Sequence, residues 1–278
     1  MKHYDALTCY ANRETLELLL AVSSTLPITG TLDEDTRITL YFDEAGATPQ
    51  AIQQLQSWLP EGANVQMEIT SVAEQNWNAE FEASLQPVRI GGGLLITQSW
   101  QPEEAEEGTL RVVIDPKMSF GTGHHESTRL ISQLLMQLDP AGKRVLDIGT
   151  GTGVLAIVAA LRGAARTLAF DNNEWAVANT LENVELNGVA DRIDVRQCEL
   201  DDVAEGEFDV VLANLHRNII MQMLPGIVQR MAASGAQLLT SGVLIEDYQS
   251  LLDEAASHGL RPIDEARENE WVATVFGR

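Results

Sequence analysis

The segment VLDIGTGTGVLA, residues 145–156, constrains what this chain can fold into more than any other stretch. An apolar run typical of a buried strand carries Asp147, and Gly149, Gly151 and Gly153 follow before a second apolar run of helical character. Glycines permit a tight turn between strand and helix, and they let the backbone approach a ligand closely. The segment therefore predicts a strand–loop–helix unit with a ligand at the loop.

Strand and helix patterns alternate along the chain from residue 127 onward. Helices are predicted at 127–138, 153–163 and 174–188, and the strands of this region at 144–149, 167–171, 193–197, 208–215 and 236–242. The last two patterns, 260–270 and 270–277, are typical of an antiparallel pair. This order predicts a doubly wound α/β domain with a hairpin at its C-terminal end.

The glycine spacing and two nearby acids indicate which ligand the loop binds. Nicotinamide and flavin sites prefer G-x-G-x-x-G, whereas this loop has G-x-G-x-G with Asp147 two residues before the first glycine. A carboxylate there opposes a pyrophosphate and suits S-adenosylmethionine, which carries an ammonium and a sulfonium but no phosphate. Asp171 ends the next predicted strand, where its carboxylate can accept hydrogen bonds from both ribose hydroxyls. We therefore predict a methyl-donor site, with glycines of purely structural purpose as the alternative.

Asn214 lies at the carboxyl end of the fourth predicted strand of this domain, FDVVLANL. Open α/β sheets bind ligands at that end, and an asparagine offers both a donor and an acceptor to a substrate amine or to the cofactor. A turn-capping asparagine is the alternative. Methylases of planar amines and amides often have Asn-Pro-Pro-aromatic here, whereas this chain has Asn214-Leu215-His216, which argues against a nucleobase or a glutamine side chain stacked in the pocket.

The charge balance narrows the choice of partner. The chain has 41 acidic and 18 basic residues, which gives a formal net charge of −23. A field of that sign repels phosphate backbones and attracts basic molecules. We therefore expect a lysine-rich protein as partner and no direct contact with nucleic acid. An acidic surface that serves only solubility is the alternative.

The remaining bulk features predict a cytoplasmic protein. No apolar run reaches the ~18 residues of a membrane span, and the N-terminal residues lack the apolar segment of a secretion signal. Cys9 and Cys198 match no metal or redox spacing, so both thiols are expected to be reduced. We expect a monomer that does not associate with membranes.

Residues 1–70 have the pattern of a small separate module. Strand and helix patterns follow in the order β-α-β-β-α-β of a ferredoxin-like domain, and Val65, Met67 and Ile69 of the last strand are predicted to face its interior. Residues 71–115 are predicted to link this module, through a helix at 72–85 and a hairpin at 88–97, to the α/β domain at 116–278.

The segment PKMSFGTGHHESTRL, residues 116–130, contains the adjacent pair His124-His125. Zinc sites need three or four converging ligands, whereas adjacent side chains diverge, so no metal is predicted. A hydrolytic triad is also disfavoured, because neither Ser119 nor Ser127 sits in a nucleophile elbow.

A lid over the cofactor is the better interpretation of this segment. Gly121 and Gly123 let the loop fold over the cofactor, Thr128 in the first turn of the next helix can bond it, and Phe120 can shield the sulfonium from water. His124 and His125 would then line the path of the target amine, with packing of one of them as the alternative.

Four segments together resemble the bacterial ribosomal protein L-eleven methyltransferases: MSFGTGHHESTRL, VLDIGTGTGVLAI, FDVVLANL and ENEWVATVFGR. The similarity covers about residues 85–278, while residues 1–70 fit by element order. The resemblance implies a class I methyltransferase fold, Rossmann-like with a seven-stranded doubly wound sheet, behind an N-terminal ferredoxin-like domain that recognises the substrate. It also implies methylation of lysine side chains and of an N-terminal amine on a basic ribosomal protein.

The family's cofactor contacts carry over to Thr128, Gly149, Asp171 and Asn214, to which Gly151 is added from the loop pattern. Asn214 is also the candidate catalytic residue. The family often has small or apolar residues after this asparagine, whereas this chain has His216-Arg217, which leaves the choice of substrate open. A methyltransferase of another protein, of RNA or of a small metabolite is the alternative, followed by a non-catalytic protein that keeps the fold.

Overall fold

The computed structural model describes residues 3–23, 26, 28–42, 49–59, 63, 65–73, 85–91, 93–117 and 119–278. The chain divides into two compact units, Met1–Trp77 and Asn78–Arg278. Most of the predicted linker at 71–115 therefore belongs to the second unit. No helix within the described ranges is long and apolar enough to cross a membrane.

The first unit is a four-stranded antiparallel sheet with two helices. Its elements are β1 (His3–Tyr10), α1 (Arg13–Ser23), β2 (Ile28–Glu34), β3 (Arg37–Phe42), α2 (Pro49–Ser57) and β4 (Gln66–Ala73). The strands lie in the order β2-β3-β1-β4. This arrangement confirms the ferredoxin-like order of elements predicted from the sequence.

The core of this unit follows from the alternation in β3. Ile38, Leu40 and Phe42 are fully buried, as their period of two predicts. They pack in one cluster with Leu16 and Leu19, which lie three residues apart on α1. An amphipathic helix and one face of the sheet thus close the core between them.

The prediction for β4 is wrong at one position. Val65 and Met67 pack against the core as expected, but the side chain of Ile69 is 48% exposed. β4 is an edge strand whose one neighbour is β1, so a side chain on it has neighbouring residues on one side only. Alternation fixes the face on which a residue lies, but it does not guarantee that the face is covered there.

The second unit begins with a small three-stranded sheet. Its strands are β5 (Val88–Ile90), β6 (Leu94–Thr97) and β7 (Leu110–Val113). β5 and β6 form the predicted antiparallel hairpin, whereas β7, which the sequence does not predict, pairs parallel with β6. The predicted helix at 72–85 begins with the two residues that end β4, and its positions 74–84 lie outside the described residues.

A seven-stranded sheet forms the centre of the second unit. Its strands are β8 (Arg144–Ile148), β9 (Arg166–Asp171), β10 (Ile193–Gln197), β11 (Val210–Asn214), β12 (Gln237–Leu244), β13 (Arg261–Glu268) and β14 (Trp271–Gly277). They lie in the order β10-β9-β8-β11-β12-β14-β13. β14 is antiparallel to both of its neighbours, while the pairs from β10 to β12 are parallel. The doubly wound sheet with its C-terminal hairpin is thus confirmed.

Helices cover both faces of this sheet. They are α3 (Glu126–Gln137), α4 (Val154–Leu161), α5 (Glu174–Leu186), α6 (Arg217–Arg230) and α7 (Tyr248–Ser257). One apolar cluster includes residues of α3, α4 and α5, and a second includes residues of α6 and α7. α4 is buried almost all round, and its alanines Ala156, Ala159 and Ala160 let its backbone lie close to neighbouring elements.

Candidate active site

The strand order reverses at β8, so the loops that follow β8 and β11 meet at one edge of the sheet. Ile148 pairs with Ala213 across these two strands, which brings Gly149 and Asn214 side by side. A reversal of this kind opens a crevice outside the carboxyl ends of the strands, where ligands bind in open α/β sheets. Asp171 ends the adjacent strand β9, so the residues predicted from separate motifs share one edge.

The loop between β8 and α4 adopts a conformation that requires glycine. Gly149 and Gly151 have φ angles of 65° and 59°, which residues with a side chain rarely adopt. A Cβ on Gly151 would lie 2.3 Å from the carbonyl oxygen of Phe120, and one on Gly149 would lie 2.6 Å from Cδ2 of Leu215. The chain segments on both sides therefore pack directly against this loop.

Asp147 lies buried under the loop rather than in its mouth. Its carboxylate is 1% exposed and accepts a hydrogen bond of 2.7 Å from Oγ1 of Thr150. Burial raises the pKa of Asp147 to about 7, and the negative charge of Asp171 adds to the increase. A cation bound nearby would favour the ionised form of the Asp147 carboxyl, so this residue suits a cationic ligand.

The carboxylate of Asp171 is held by two backbone donors. Its Oδ2 accepts from the N–H of Gly151 at 3.1 Å, and its Oδ1 accepts from the N–H of Asn173 at 3.0 Å. Each carboxylate oxygen can accept a further hydrogen bond. The side chain is thus fixed between the glycine loop and the start of α5 with acceptor capacity to spare, as the ribose hydroxyls of the predicted cofactor require.

Asn214 and Thr128, far apart in sequence, meet at this edge. Nδ2 of Asn214 donates to Oγ1 of Thr128 at 3.3 Å. Oδ1 of Asn214 is buried and has no hydrogen-bond partner within the described part of the chain. A buried carbonyl oxygen without a donor costs about 1–3 kcal/mol, so this atom is suited to a donor that arrives with a ligand.

The segment predicted as a lid, residues 116–130, is bonded to the glycine loop through the part that precedes α3. The N–H of Thr152 donates to the carbonyl oxygen of Phe120 at 2.9 Å, and its Oγ1 donates to that of Gly121 at 2.8 Å. The Phe120 side chain is 54% exposed. We call residues 116–125 the lid loop from here on.

The two adjacent histidines have separate partners. His125 caps α3: its Nδ1 accepts from the N–H of Ser127 at 3.1 Å, and its ring makes edge contacts with the rings of Phe120 and Trp271. His124 is exposed, and its Nδ1 lies 3.2 Å from the hydroxyl of Thr122. In the part of the chain that the structure describes, no three His, Cys, Asp or Glu side chains converge as metal ligands would.

A row of asparagines on α5 and at its C-terminal cap, which the sequence interpretation missed, joins β7 and the residue Asp115 that follows it to the glycine loop. Asn183 accepts from the N–H of Asp115 and donates to the carbonyl of Thr152, both at 2.9 Å. Asn179 donates to the carbonyl of Asp115 at 2.7 Å. Asn187 accepts from the N–H of Val113 in β7 and donates to the carbonyl of the same residue. Asparagine is a poor helix former, so its repetition every four residues along one helix face indicates a role in contacts. That spacing was the feature of the sequence that could have revealed the row.

Comparison with known proteins decides the family. A family model described as ribosomal protein L11 methyltransferase (PrmA) matches residues 9–278. The chain belongs to this family. A ribosomal protein L11 methyltransferase from Chlorobaculum tepidum is 38% identical over 265 residues, which are 93% of this chain and 91% of that protein. One from Deinococcus radiodurans is 36% identical over 260 residues, 90% of each.

A solved structure supports the fold of this L11 methyltransferase family member. The crystal structure of ribosomal protein L11 methylase from Lactobacillus delbrueckii subsp. bulgaricus aligns with a TM-score of 0.65. The alignment covers 70% of this chain and 99% of the other, at 24% sequence identity. The class I methyltransferase fold predicted from the sequence is thereby confirmed.

Family membership also confirms the predicted methyl donor, S-adenosylmethionine. The residues at the crevice fit this cofactor, because Asp171 retains acceptor capacity and Asn214 has an unpartnered buried oxygen. The backbone of the glycine loop also lies at the same edge.

His216 and Arg217, where the sequence departs from the family's usual pattern, differ in their contacts. Arg217 points to the start of α7, where it donates to Oγ of Ser250 at 3.0 Å and lies 3.7 Å from the carboxylate of Asp247. His216 precedes α6 and is exposed. Of the two residues, His216 is therefore the one that a substrate could meet.

Proposed function

We propose that this chain transfers methyl groups from S-adenosylmethionine to the lysine side chains and the N-terminal amine of ribosomal protein L11. L11 is the substrate in the names of the relatives. One observation supports an amine as the acceptor: Oδ1 of Asn214 is buried and unpartnered within the described residues. An amine N–H supplies the donor that this oxygen lacks.

Five residues are proposed to hold the cofactor: Thr128, Gly149, Gly151, Asp171 and Asn214. When bound, S-adenosylmethionine supplies an electrophilic methyl group on its sulfonium. Asp171 orients the ribose through its remaining acceptor capacity, and the glycines bring the backbone into contact. Thr128 and Asn214, bonded to each other, act at the junction of cofactor and acceptor.

The acceptor amine must be neutral when it attacks. A free lysine has a pKa near 10.4, so its deprotonation at pH 7 costs about 4.6 kcal/mol. Burial against apolar side chains lowers the pKa of an amine, and the rings of Phe120 and Trp271 both contact that of His125 at the lid loop. Since Nδ1 of His125 accepts from Ser127, we assign the proton to water rather than to that nitrogen.

Asn214 then positions the amine. Its Oδ1 would accept a hydrogen bond from the amine N–H and so orient the nitrogen lone pair for attack on the methyl group that the bound cofactor would supply. Orientation of this kind accounts for a large part of the rate in displacement reactions. Asn214 is thus proposed as the catalytic residue.

The rest of the molecule is proposed to recognise the protein. Residues 1–70 contain none of the proposed cofactor residues and are assigned to substrate docking, residues 71–115 to the connection, and residues 116–278 to catalysis. The formal charge of −23 favours a basic partner. We further propose that the chain acts as a monomer in the cytoplasm.

Product analysis tests the acceptor. Unmethylated recombinant L11 is incubated with enzyme and S-adenosylmethionine, and tandem mass spectrometry locates the methyl groups; lysine Nε and the N-terminal amine are expected. Asn214→Ala should lower kcat/KM by at least about tenfold, or ~1.4 kcal/mol, while Asn218→Ala, at an exposed asparagine of α6, serves as the control. Methyl groups on oxygen or carbon atoms, or an undiminished Asn214→Ala variant, would refute the proposal.

A further inference from the structure

The tip of the β13–β14 hairpin, residues 268–271, contacts the start of α3 at several points. The contacts are Arg129 with Glu268, Glu126 with Asn269, and His125 with Trp271. None of these residues is among those proposed to contact the cofactor. The hairpin tip therefore fixes the first turn of α3 by contacts that lie outside the crevice itself.

Arg129 makes the most extensive of these contacts. Its Nη2 lies 2.6 Å from Oε1 of Glu268, and its Nε lies 3.1 Å from both carboxylate oxygens. Its Nη1 donates to the backbone carbonyl of His124, which belongs to the lid loop. The planar guanidinium carries five donors in a fixed arrangement, so it can hold a carboxylate and a carbonyl at once. One side chain thus ties the lid loop to the hairpin.

The position of Arg129 connects this tie to the crevice. It directly follows Thr128, whose hydroxyl accepts from Asn214, and the other end of the lid loop bonds the glycine loop through Phe120 and Gly121. The lid loop and the first turn of α3 are therefore bonded to the glycine loop, to β11 and to the hairpin tip. Further bonds join Lys117 to Glu182 of α5, and the carbonyl of Ser127 to the hydroxyl of Ser241 on β12. Within the hairpin contact, the Arg129–Glu268 pair has no proposed contact to cofactor or substrate.

We infer that Arg129 is a positioning residue, which together with Glu268 holds the lid loop in its cofactor-binding arrangement. The pair sets the affinity for S-adenosylmethionine without contact to it. When a binding-competent arrangement is populated only in part, the apparent Kd rises by the inverse of that fraction. Loss of the Arg129–Glu268 pair lowers this fraction. The inference rests on the methyl-donor site and not on the identity of the acceptor.

Calorimetric titration of the full-length chain with S-adenosylmethionine tests the inference. Arg129→Met removes the donors but keeps an apolar stem, and Glu268→Gln removes the charge of the partner. Each should raise Kd roughly fivefold, since partly exposed charged pairs have modest energies. The matched control is Arg267→Met on the same strand, because Arg267 pairs with Glu265 within β13 at 3.0 Å; its Kd should be unchanged.

Two further measurements separate positioning from general stability. The double variant Arg129→Met/Glu268→Gln should bind no more weakly than Arg129→Met, because that variant already removes the interaction with Glu268. Hydrogen exchange at the amides of residues 119–125 should be faster in Arg129→Met, while amides of β8 and α4 keep their protection. A lower melting temperature with unchanged Kd and unchanged exchange in the lid loop would overturn the inference, as would additive effects in the double variant. If Arg129→Met fails to fold, the binding and exchange of Glu268→Gln test the inference by the same criteria. If the enzyme methylates an acceptor other than L11, the proposed function fails while these binding results still stand.

Discussion

The carboxylate of Asp171 is held in a fixed orientation by the protein itself. The backbone N–H groups of Gly151 and Asn173 hold it, so its orientation does not depend on the cofactor. Asp171→Ala should weaken S-adenosylmethionine binding by about 1.5–3 kcal/mol for each ribose hydrogen bond lost. Calorimetry on the variant, with circular dichroism to show that it folds, measures this. The exposed Asp191→Ala is the control, and wild-type affinity in Asp171→Ala would refute the ribose contact.

Asp147 predicts a pH dependence of stability. Because burial raises its pKa to about 7 from 3.8, the folded protein keeps a proton there that the unfolded chain loses above about pH 4. The contribution of this carboxyl to stability is therefore full below pH 4 and is lost as the pH rises through about 7.

Asp147→Asn tests this dependence, since the amide does not titrate and its oxygen can still accept from Thr150. Between pH 5 and 8 the difference in unfolding free energy should shift by about 2–3 kcal/mol in favour of the variant. Denaturant unfolding of both cofactor-free proteins at each pH gives the difference. A difference that does not change with pH contradicts the account.

The individual site residues were predictable to different degrees. Asp171 and Asn214 follow from the sequence because each ends an apolar strand, and strand ends of a parallel sheet meet at one edge. The burial of Asp147 and the ring contact of His125 with Trp271 do not follow, because both depend on segments elsewhere in the fold. His125 contacts Trp271, for example, and no local sequence pattern indicates that contact.

At the scale of elements, the asparagine face of α5 links the small sheet to the glycine loop. Asn183 is fully buried and bridges the N–H of Asp115 and the carbonyl of Thr152. Asn183→Ala leaves both groups unpaired and should lower the unfolding free energy by about 1–3 kcal/mol. Urea unfolding measures this against the exposed Asn218→Ala on α6, for which less than about 0.5 kcal/mol is expected. Equal stability of the two variants would show that the bridge is unimportant.

The elements themselves were predictable where a pattern was long. The strands of the seven-stranded sheet follow from their apolar runs and from the helices between them. β7 does not, because it has four residues and its parallel pairing with β6 is a non-local property. The exposure of Ile69 on the edge strand β4 has the same origin, since alternation does not show which elements cover a face.

At the scale of the whole molecule, charge and family membership favour the same class of substrate. The net charge of −23 opposes association with phosphate backbones and favours a basic protein. The order of elements predicted a doubly wound α/β domain, because strand–helix alternation leaves few ways to build a parallel sheet. The methyltransferase fold was implied by the resemblance to the family. The choice of target depends on docking surfaces, and no short motif encodes those.

A methyl-transfer experiment tests whether ribosomal protein L11 is the substrate. The chain is incubated with radiolabelled S-adenosylmethionine and a mixture of unmethylated ribosomal proteins and ribosomal RNA, and the components are then separated and counted. Label is expected in the protein fraction, in the band of L11. Transfer should weaken as the salt rises from about 0.01 M to 0.15 M, because the screening length falls from ~30 to ~8 Å. Label in the RNA, or no transfer to L11 by a chain that binds the cofactor, would contradict the proposed substrate.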